Sequence, residues 1–219
     1  MLTIYGVTRS RASRIIWLCH EIALPFEQVP VIQAYRLADP HAPDAPMNTA
    51  TPAFLEISPQ GAIPVIRDGD LVLTESFACT LHLARGHGGT VGPANAAEDA
   101  LMQQWSFYAA ASVEADALLI MQRHRPGQAQ DGADQAAVAE AAQRLIRPLK
   151  VLEDHLARHG HLVGDRFTVA DLNMAEAVRY ARGHHALFQQ FPAVSAWLAD
   201  CHARPAFQRM WQEREAEPA

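Results

Sequence analysis

"SPQGAIPVIRDGDLVLTESFACT", residues 58 to 80, decides the fold. It holds two short apolar runs, PVIR and LVLT, joined by DGD, a hairpin turn signal. Glu75-Ser76 then ends the second run and opens a helix, SFACTLHLARGHG over 76–88, with a glycine stop. Pro64 stands directly before the first run. It has no N–H to give a sheet ladder and its ring fixes φ, so this strand begins with the residue least suited to pairing. One reading is a turn proline that initiates a strand. The other is a stretch of backbone kept out of the sheet so that it can pair with something else.

Upstream, LTIY (2–5) is a short apolar strand. Ile15, Leu18, Cys19 and Ile22 fall at helical spacing in SRIIWLCHEIA (13–23). FEQVPVI (26–32) reads as a second strand, at an edge because of Pro30. Residues 33–52, rich in Pro, Ala and Asp, read as a long irregular loop, and ATPAFLEIS (50–58) as a short helix. The order is β-α-β-α-β-β-α. A right-handed crossover makes the first two strands parallel, and the hairpin adds two antiparallel ones, giving a four-stranded mixed sheet.

Downstream, GHGGTVGPANAAE (86–98) is a composition break, and helical patterns dominate after it. Residues 97–125 form one long segment, with Leu101, Trp105, Tyr108, Ser112 and Leu119 near one face. PGQAQDGAD (126–134) breaks it. The next helix carries Val138, Ala142, Leu145, Leu149, Leu152 and Leu156, and its stripe continues across Pro148. Helices over 168–183, 192–203 and 205–214 follow, with Pro192 and Pro205 suited to first-turn positions. The expected domains are therefore an α/β domain at 1–85, a linker at 86–97 and an all-α domain at 98–219.

The 219 residues carry a net charge of −6, which argues against nucleic acid or an anionic membrane as partner. The N-terminal apolar stretch is too short for a signal peptide, and no apolar run is long enough to span a bilayer. Cys19, Cys79 and Cys201 are far apart and each sits in an apolar helical pattern, as expected of free buried thiols in a reducing cytoplasm. His155, His159 and His161 come closest to a metal site. They lie where a helix ends, and histidine suits the negative end of its dipole, so no metal is expected.

Three stretches have the residue types that chemistry needs. At FTVADLNMAEA (167–177), Thr168 and Asp171 form a capping box, a structural signature. At Glu75-Ser76, helix N–H groups and the Ser76 hydroxyl favour a carboxylate while Glu75 suits an ammonium, a pair fitted to an α-amino acid group; the plainer reading is an N-cap by Ser76. YGVTRSRASR (5–14) joins the first strand to the first helix, beyond the carboxyl end of the strand where ligands bind in such domains. Its hydroxyls, Thr8, Ser10 and Ser13, stand where a bound thiol would be stabilised as thiolate; an N-cap is again the plainer reading. No cysteine lies there, so it is not a CxxC redox site.

SPQGAIPVI, LTES and the later GDRFTVADLNMAEA, in that order and spacing, resemble the cytosolic glutathione transferases over nearly the full length. The resemblance implies a thioredoxin-like N-terminal domain, an all-α C-terminal domain, a cytoplasmic homodimer and a role in detoxification, here as a bacterial member of a serine-type class. It implies that Ile63-Pro64 is cis, and that Ile63 offers its backbone N–H and C=O to the cysteinyl part of glutathione. Glu75 and Ser76 would hold the γ-glutamyl end. Ser10 matches the activating serine, with Ser13 second and Tyr5 and Thr8 further alternatives. Gly61 stands where some classes place a histidine toward the glycyl carboxylate, and Gln60 is the nearest substitute. Trp105 and Tyr108 are candidates for the electrophile site between the domains, against ordinary core or dimer packing. The loop before FLEIS is longer than usual, with DPHAPDAPMNTATP inserted. The expected activity is conjugation of the glutathione thiolate to small electrophilic, largely hydrophobic substrates. Disulfide reduction, peroxide reduction, dehalogenation, isomerisation or a non-catalytic binding role on the same fold are the alternatives.

Overall fold

Leu2 and Ile4 are buried and alternate with half-buried Thr3 and Tyr5, which makes β1 (Leu2–Tyr5) a strand with one face on the core. The computed structural model describes residues 1–123 and 131–217. After β1 come α1 (Ser13–Glu21), β2 (Phe26–Val29), α2 (Pro52–Leu55), β3 (Val65–Asp68), β4 (Leu71–Thr74) and α3 (Ser76–His87). The strand order is β2-β1-β3-β4, with β1 parallel to β2 and antiparallel to β3, and β3 antiparallel to β4. This is the expected four-stranded mixed sheet. β2 is an edge strand and stops one residue short of Pro30. The β3–β4 hairpin turns at Gly69, whose φ of +59° is a left-handed conformation that L side chains resist.

The helical part holds α4 (Ala96–Tyr108), α5 (Glu114–Arg123), α6 (Gly132–His159), α7 (Val169–Val178), α8 (His185–Phe188) and α9 (Pro192–Ala203), and α10 (Pro205–Ala216) follows. α8 is a short helix with no counterpart in the sequence reading. Pro148 lies inside α6, whose apolar stripe runs across it as expected. The break read at 126–134 lies, over 126–130, outside the described residues.

Between α4 and α5 the turn Ala109–Val113 is widened: the Glu114 N–H reaches the Ala109 carbonyl, five residues back. The buried face keeps its spacing of three and four through this turn. Met102, Trp105, Ser106, Ala109, Val113, Ala117 and Ile120 are buried, whereas Leu101, expected on that face, is 43% exposed.

By internal contacts the chain divides into two units. One holds Met1–His87 together with the chain from Pro205 on; the other holds Gly88–Arg204. The sequence reading counts α10 with the helical domain, but α10 packs on α1, where Trp17 and Phe207 meet edge to face at 5.0 Å.

In the helical unit α7 is buried along its whole length, so its polar side chains must be satisfied inside the protein. Asp171 meets this need four times over. It accepts from the Thr168 N–H (2.9 Å) and hydroxyl (3.0 Å), from the Leu162 N–H (3.1 Å) and from Trp197 Nε1 (3.0 Å). The Thr168–Asp171 capping box is thus one side of a larger hub. Asn173 donates to the Ser106 hydroxyl of α4 (2.9 Å), and Glu176 pairs with Arg179 (2.8 Å). Arg166 binds the carbonyls of Thr90 and Gly92 and the Glu98 carboxylate, which ties the 89–98 segment to this unit.

Burial lowers the pKa of His202 from 6.5 to about 4, with Arg179 and Arg182 adding to the shift and Glu176 opposing it. Arg182 Nη1 lies 3.4 Å from His202 Nδ1, a contact that suits a neutral ring. The native state therefore binds fewer protons here than the unfolded chain between the two pKa values. Stability from this site is complete above about pH 6.5 and is lost as pH falls toward about 4. Over that window the loss is on the order of 3 kcal/mol. Urea unfolding across this pH range is expected to show that slope, and His202→Gln to flatten it; an unchanged slope in the variant would place the acid sensitivity elsewhere.

Candidate functional site

The register puts Val29, Tyr5, Val65 and Thr74 in one row across the sheet. Three non-sheet segments leave the sheet at this row: the turn after Tyr5, the residues before Val65, and Glu75-Ser76 after Thr74. The pairing of four short strands thus gathers stretches far apart in sequence at one end of the sheet.

The middle segment is the opening of β3. Its ladder begins at Val65, so Ile63 and Pro64 stand outside the regular pairing. The Ile63-Pro64 peptide bond is cis. Pro64 is buried and Ile63 half-buried, packed against Val31, Phe54 and Val65. Ser58, fully buried, donates its hydroxyl to the Ala62 carbonyl (3.1 Å), and the Gly61 N–H closes a turn onto the Ser58 carbonyl (2.8 Å). Gly61 has φ +59°, and a Cβ there would lie 3.0 Å from the Thr49 carbonyl oxygen. A histidine at this position would be strained and crowded, which accounts for the glycine. Gln60 is exposed in the same turn.

The Thr49 carbonyl belongs to the long loop, which Asn48 organises. The buried Asn48 side chain donates to the carbonyls of Pro40 and Pro46, both at 2.9 Å, and accepts from the Ala50 N–H at 2.9 Å. The loop returns beside Ile32, whose N–H and C=O pair with Met47 and Thr49.

On the far side of Pro64, Glu75 is exposed and has φ +66°, a conformation rare for a residue with a Cβ. Such strain is kept where the surroundings require a side chain to point one way. Ser76 opens α3 and is 5% exposed, and its hydroxyl accepts from Arg14 Nη1 at 2.9 Å. Arg14 is 1% exposed, with its guanidinium 4.2 Å from the Phe77 ring centroid. A buried guanidinium beside the first turn of a helix makes this corner positive, as an anion requires. The sequence reading passes over Arg14. The available signal was its spacing of four from Leu18, on the inner face of α1.

The third segment, the turn after Tyr5, begins at Gly6, whose φ is +141° and whose missing side chain leaves room for Ile63 (3.4 Å to an added Cβ). Ser10 is extended (φ −138°, ψ −168°); its hydroxyl donates to the Val7 carbonyl (2.7 Å) and accepts from the Ala12 N–H (3.0 Å). Both bonds stay within the turn that precedes α1. Ser13 is fully buried. The Thr8 hydroxyl accepts from Gln28 Nε2 (3.3 Å), and Tyr5 packs on the Val31–Phe54–Val65 cluster. Burial pushes the Cys19 and Cys79 thiols up to about 12, so neither is a nucleophile at neutral pH.

Trp105 and Tyr108 lie in the helical unit. Trp105 is buried, edge to face with Tyr108 (5.8 Å) and 4.8 Å from the His155 ring. His155 Nε2 lies 3.1 Å from the carbonyls of His161 and Leu162. Among the described residues no group of three or more His, Cys, Asp or Glu side chains is placed to hold a metal ion.

Residues 9–85 match the family model for the glutathione S-transferase N-terminal domain, and residues 108–205 the model for the C-terminal domain. A glutathione S-transferase of Hyoscyamus muticus is 33% identical over 95% of this chain and 96% of its own. Glutathione S-transferase 3 of Zea mays is 35% identical over 95% of this chain and 92% of its own. The crystal structure of glutathione transferase F7 from Populus trichocarpa superposes with a TM-score of 0.81 at 26% identity, covering 98% of this chain and 99% of that one. No helix among the described residues is long and apolar enough to cross a membrane.

Proposed function

Because the chain belongs to the glutathione S-transferase family, we propose that the row of segments at the end of its sheet is the glutathione site, with one task for each segment. The activity is that of a glutathione transferase, which joins the sulfur of glutathione to small electrophilic, largely hydrophobic molecules. The observation that carries the assignment is the convergence of the cis Ile63-Pro64 bond, the Glu75-Ser76 corner and the Ser10 turn on one row of the sheet.

Glu75 takes the γ-glutamyl ammonium. The Ser76 hydroxyl and the first N–H groups of α3 take its carboxylate, with Arg14 behind them. Ile63 pairs its backbone with the cysteinyl residue in the manner of an added strand. Gln60 serves the glycyl end. The sulfur then falls at the turn after β1, where the Ser10 hydroxyl turns its proton from the Val7 carbonyl to the thiolate. Such a charge-assisted hydrogen bond, worth about 1.5–3 kcal/mol, suffices to lower a thiol pKa by about one unit. The rest of the acceleration comes from holding thiolate and electrophile together. Ser13, Thr8 and Tyr5 are the alternatives to Ser10.

A serine-type class follows from Ser10 in that role. The relatives named above are plant proteins, so a bacterial source draws no support from them. Trp105 and Tyr108 are proposed to border the electrophile, and the protein to work as a cytoplasmic homodimer in detoxification. Calorimetry with millimolar glutathione tests the site, and an aryl halide, a hydroperoxide and a mixed disulfide sort the reaction classes. Ser10→Ala is expected to raise the bound thiol's pKa by about one unit and to lower kcat/KM near neutral pH about tenfold. An unchanged thiol in that variant would pass the role to Ser13 or Thr8.

A further inference from the structure

The turn that carries Ser10 is held from within only in part, by the Ser10 hydroxyl between the Val7 carbonyl and the Ala12 N–H. Arg9 (φ −73°, ψ 34°) and Ser10 (φ −138°, ψ −168°) both leave helical geometry, so helix hydrogen bonds do not fix the path from Gly6 to Ala12. A carboxylate more than two hundred residues downstream does. Glu217 accepts from the Thr8 N–H through Oε1 at 2.6 Å and from the Arg9 N–H through Oε2 at 2.8 Å. Gln28 Nε2, which donates to the Gly6 carbonyl at 2.9 Å, lies 3.5 Å from the same Glu217 Oε1.

The neighbouring residues work in the same direction. Arg214 Nη1 donates to the Thr8 carbonyl at 2.7 Å. Arg9 answers by donating to the carbonyls of Arg214 (2.9 Å) and Glu215 (3.2 Å). Both peptide groups flanking Thr8 are thereby tied to the 214–217 segment. That segment is itself anchored, since α10 packs on α1 through Phe207 and Trp17 and through Glu213, 2.7 Å from His20 Nε2. The turn hangs between two fixed points, and Ser10 is the next residue along.

We propose that Glu217 is a positioning residue for thiol activation: its carboxylate, spread across two successive amides, sets where the Ser10 hydroxyl stands. This rests on the reading of the Ser10 turn as the activating element. A carboxylate bridging two N–H groups is a strong, directional clamp. Loss of the clamp lets residues 8 and 9 relax, and a displaced hydroxyl no longer meets the sulfur at hydrogen-bond distance. Glutathione's other anchors, at Ile63 and Glu75-Ser76, do not touch Glu217, so binding is not expected to follow activation down.

The test is the full chain carrying Glu217→Ala or Glu217→Gln, beside Ser10→Ala. The measurements are conjugation kinetics with an aryl halide, the ultraviolet titration of the bound thiolate, and the melting temperature. Glu217→Ala is expected to raise the bound thiol's pKa by about one unit and cut kcat about tenfold, with the KM for glutathione within about twofold. Glu217→Gln keeps one acceptor oxygen and is expected to recover part of the loss. Wild-type kcat and thiol pKa in Glu217→Ala would overturn the proposal. So would a loss seen only in KM, or one that the glutamine variant shares in full along with a lowered melting temperature. If Ser10→Ala itself leaves the bound thiol unchanged, the reading of the turn fails; if Ser10→Ala moves it and Glu217→Ala does not, Glu217 alone loses its role.

Discussion

Asp171→Ala is expected to lower stability by about 3–5 kcal/mol, the cost of breaking a buried and multiply bonded charge. The carboxylate is fully buried and takes hydrogen bonds from two N–H groups, a hydroxyl and an indole. Alanine removes the acceptor and leaves the donors. The Thr168 hydroxyl can turn elsewhere, but the N–H groups of Leu162 and Thr168 and the indole of Trp197 are fixed by the backbone and by packing. Each buried orphan costs about 1–3 kcal/mol before relaxation. Set against a typical margin of about 5–15 kcal/mol, the loss is large enough to lower the folded yield at physiological temperature. Urea unfolding followed by tryptophan fluorescence measures it. Asp171→Asn, which keeps one acceptor oxygen, is expected to fall between wild type and alanine. A midpoint for Asp171→Ala equal to wild type would mean that water or a rearranged loop replaces the carboxylate at no cost.

Ser76→Ala is the variant expected to hurt glutathione binding most. The Ser76 hydroxyl is assigned a hydrogen bond to the γ-glutamyl carboxylate, and bonds to charged groups contribute about 1.5–3 kcal/mol. That corresponds to a rise in the glutathione KM of about 10- to 150-fold. The interaction is the same in the ground and transition states, so kcat at saturation is expected to stay near wild type. The Arg14 guanidinium, which donates to this hydroxyl at 2.9 Å, stays beside the site in the variant and keeps its positive field. That split separates the role of Ser76 from that of Ser10, whose loss is expected to act on the thiol. An unchanged KM would move the amino-acid end of glutathione away from the start of α3.

The hairpin, the helix starts and the strand order were legible because each rests on short-range rules. DGD between two apolar runs dictates a tight turn, and Thr168 with Asp171 dictates a helix start whatever lies nearby. Ile63-Pro64, Glu75 and Ser76 stand out as a set only through the family resemblance that their order and spacing carry; of what it implied there, the cis bond is observed. Arg14, Ser58, Asn48 and Glu217 were not legible. Arg14 interrupts an apolar helix face, and nothing in its neighbourhood announces that Ser76, sixty-two positions on, will meet it. Asn48 looks like one polar residue among many in a proline-rich loop, yet its amide holds that loop closed. The face of α4 was misjudged by one residue at Leu101: its neighbour Met102 is the buried one, and spacing alone does not choose between adjacent apolar residues. For Arg14 and Glu217 the decisive partner is distant in sequence; for Asn48 and Ser58 it is near, but an irregular loop has no period from which to read it.

The packing of α10 on α1 also sets an order of events during synthesis. Trp17, fully buried in the finished protein, rests against Phe207, and Met210 is buried in the same helix as Phe207. While a ribosome makes the chain, the sheet and α1 emerge early, but the apolar cover for Trp17 emerges only after the whole helical unit between them. For that interval the nascent first domain presents an indole-bearing surface to solvent. Its last stabilising step has the longest loop to close, the kind that folds slowly and invites chaperones.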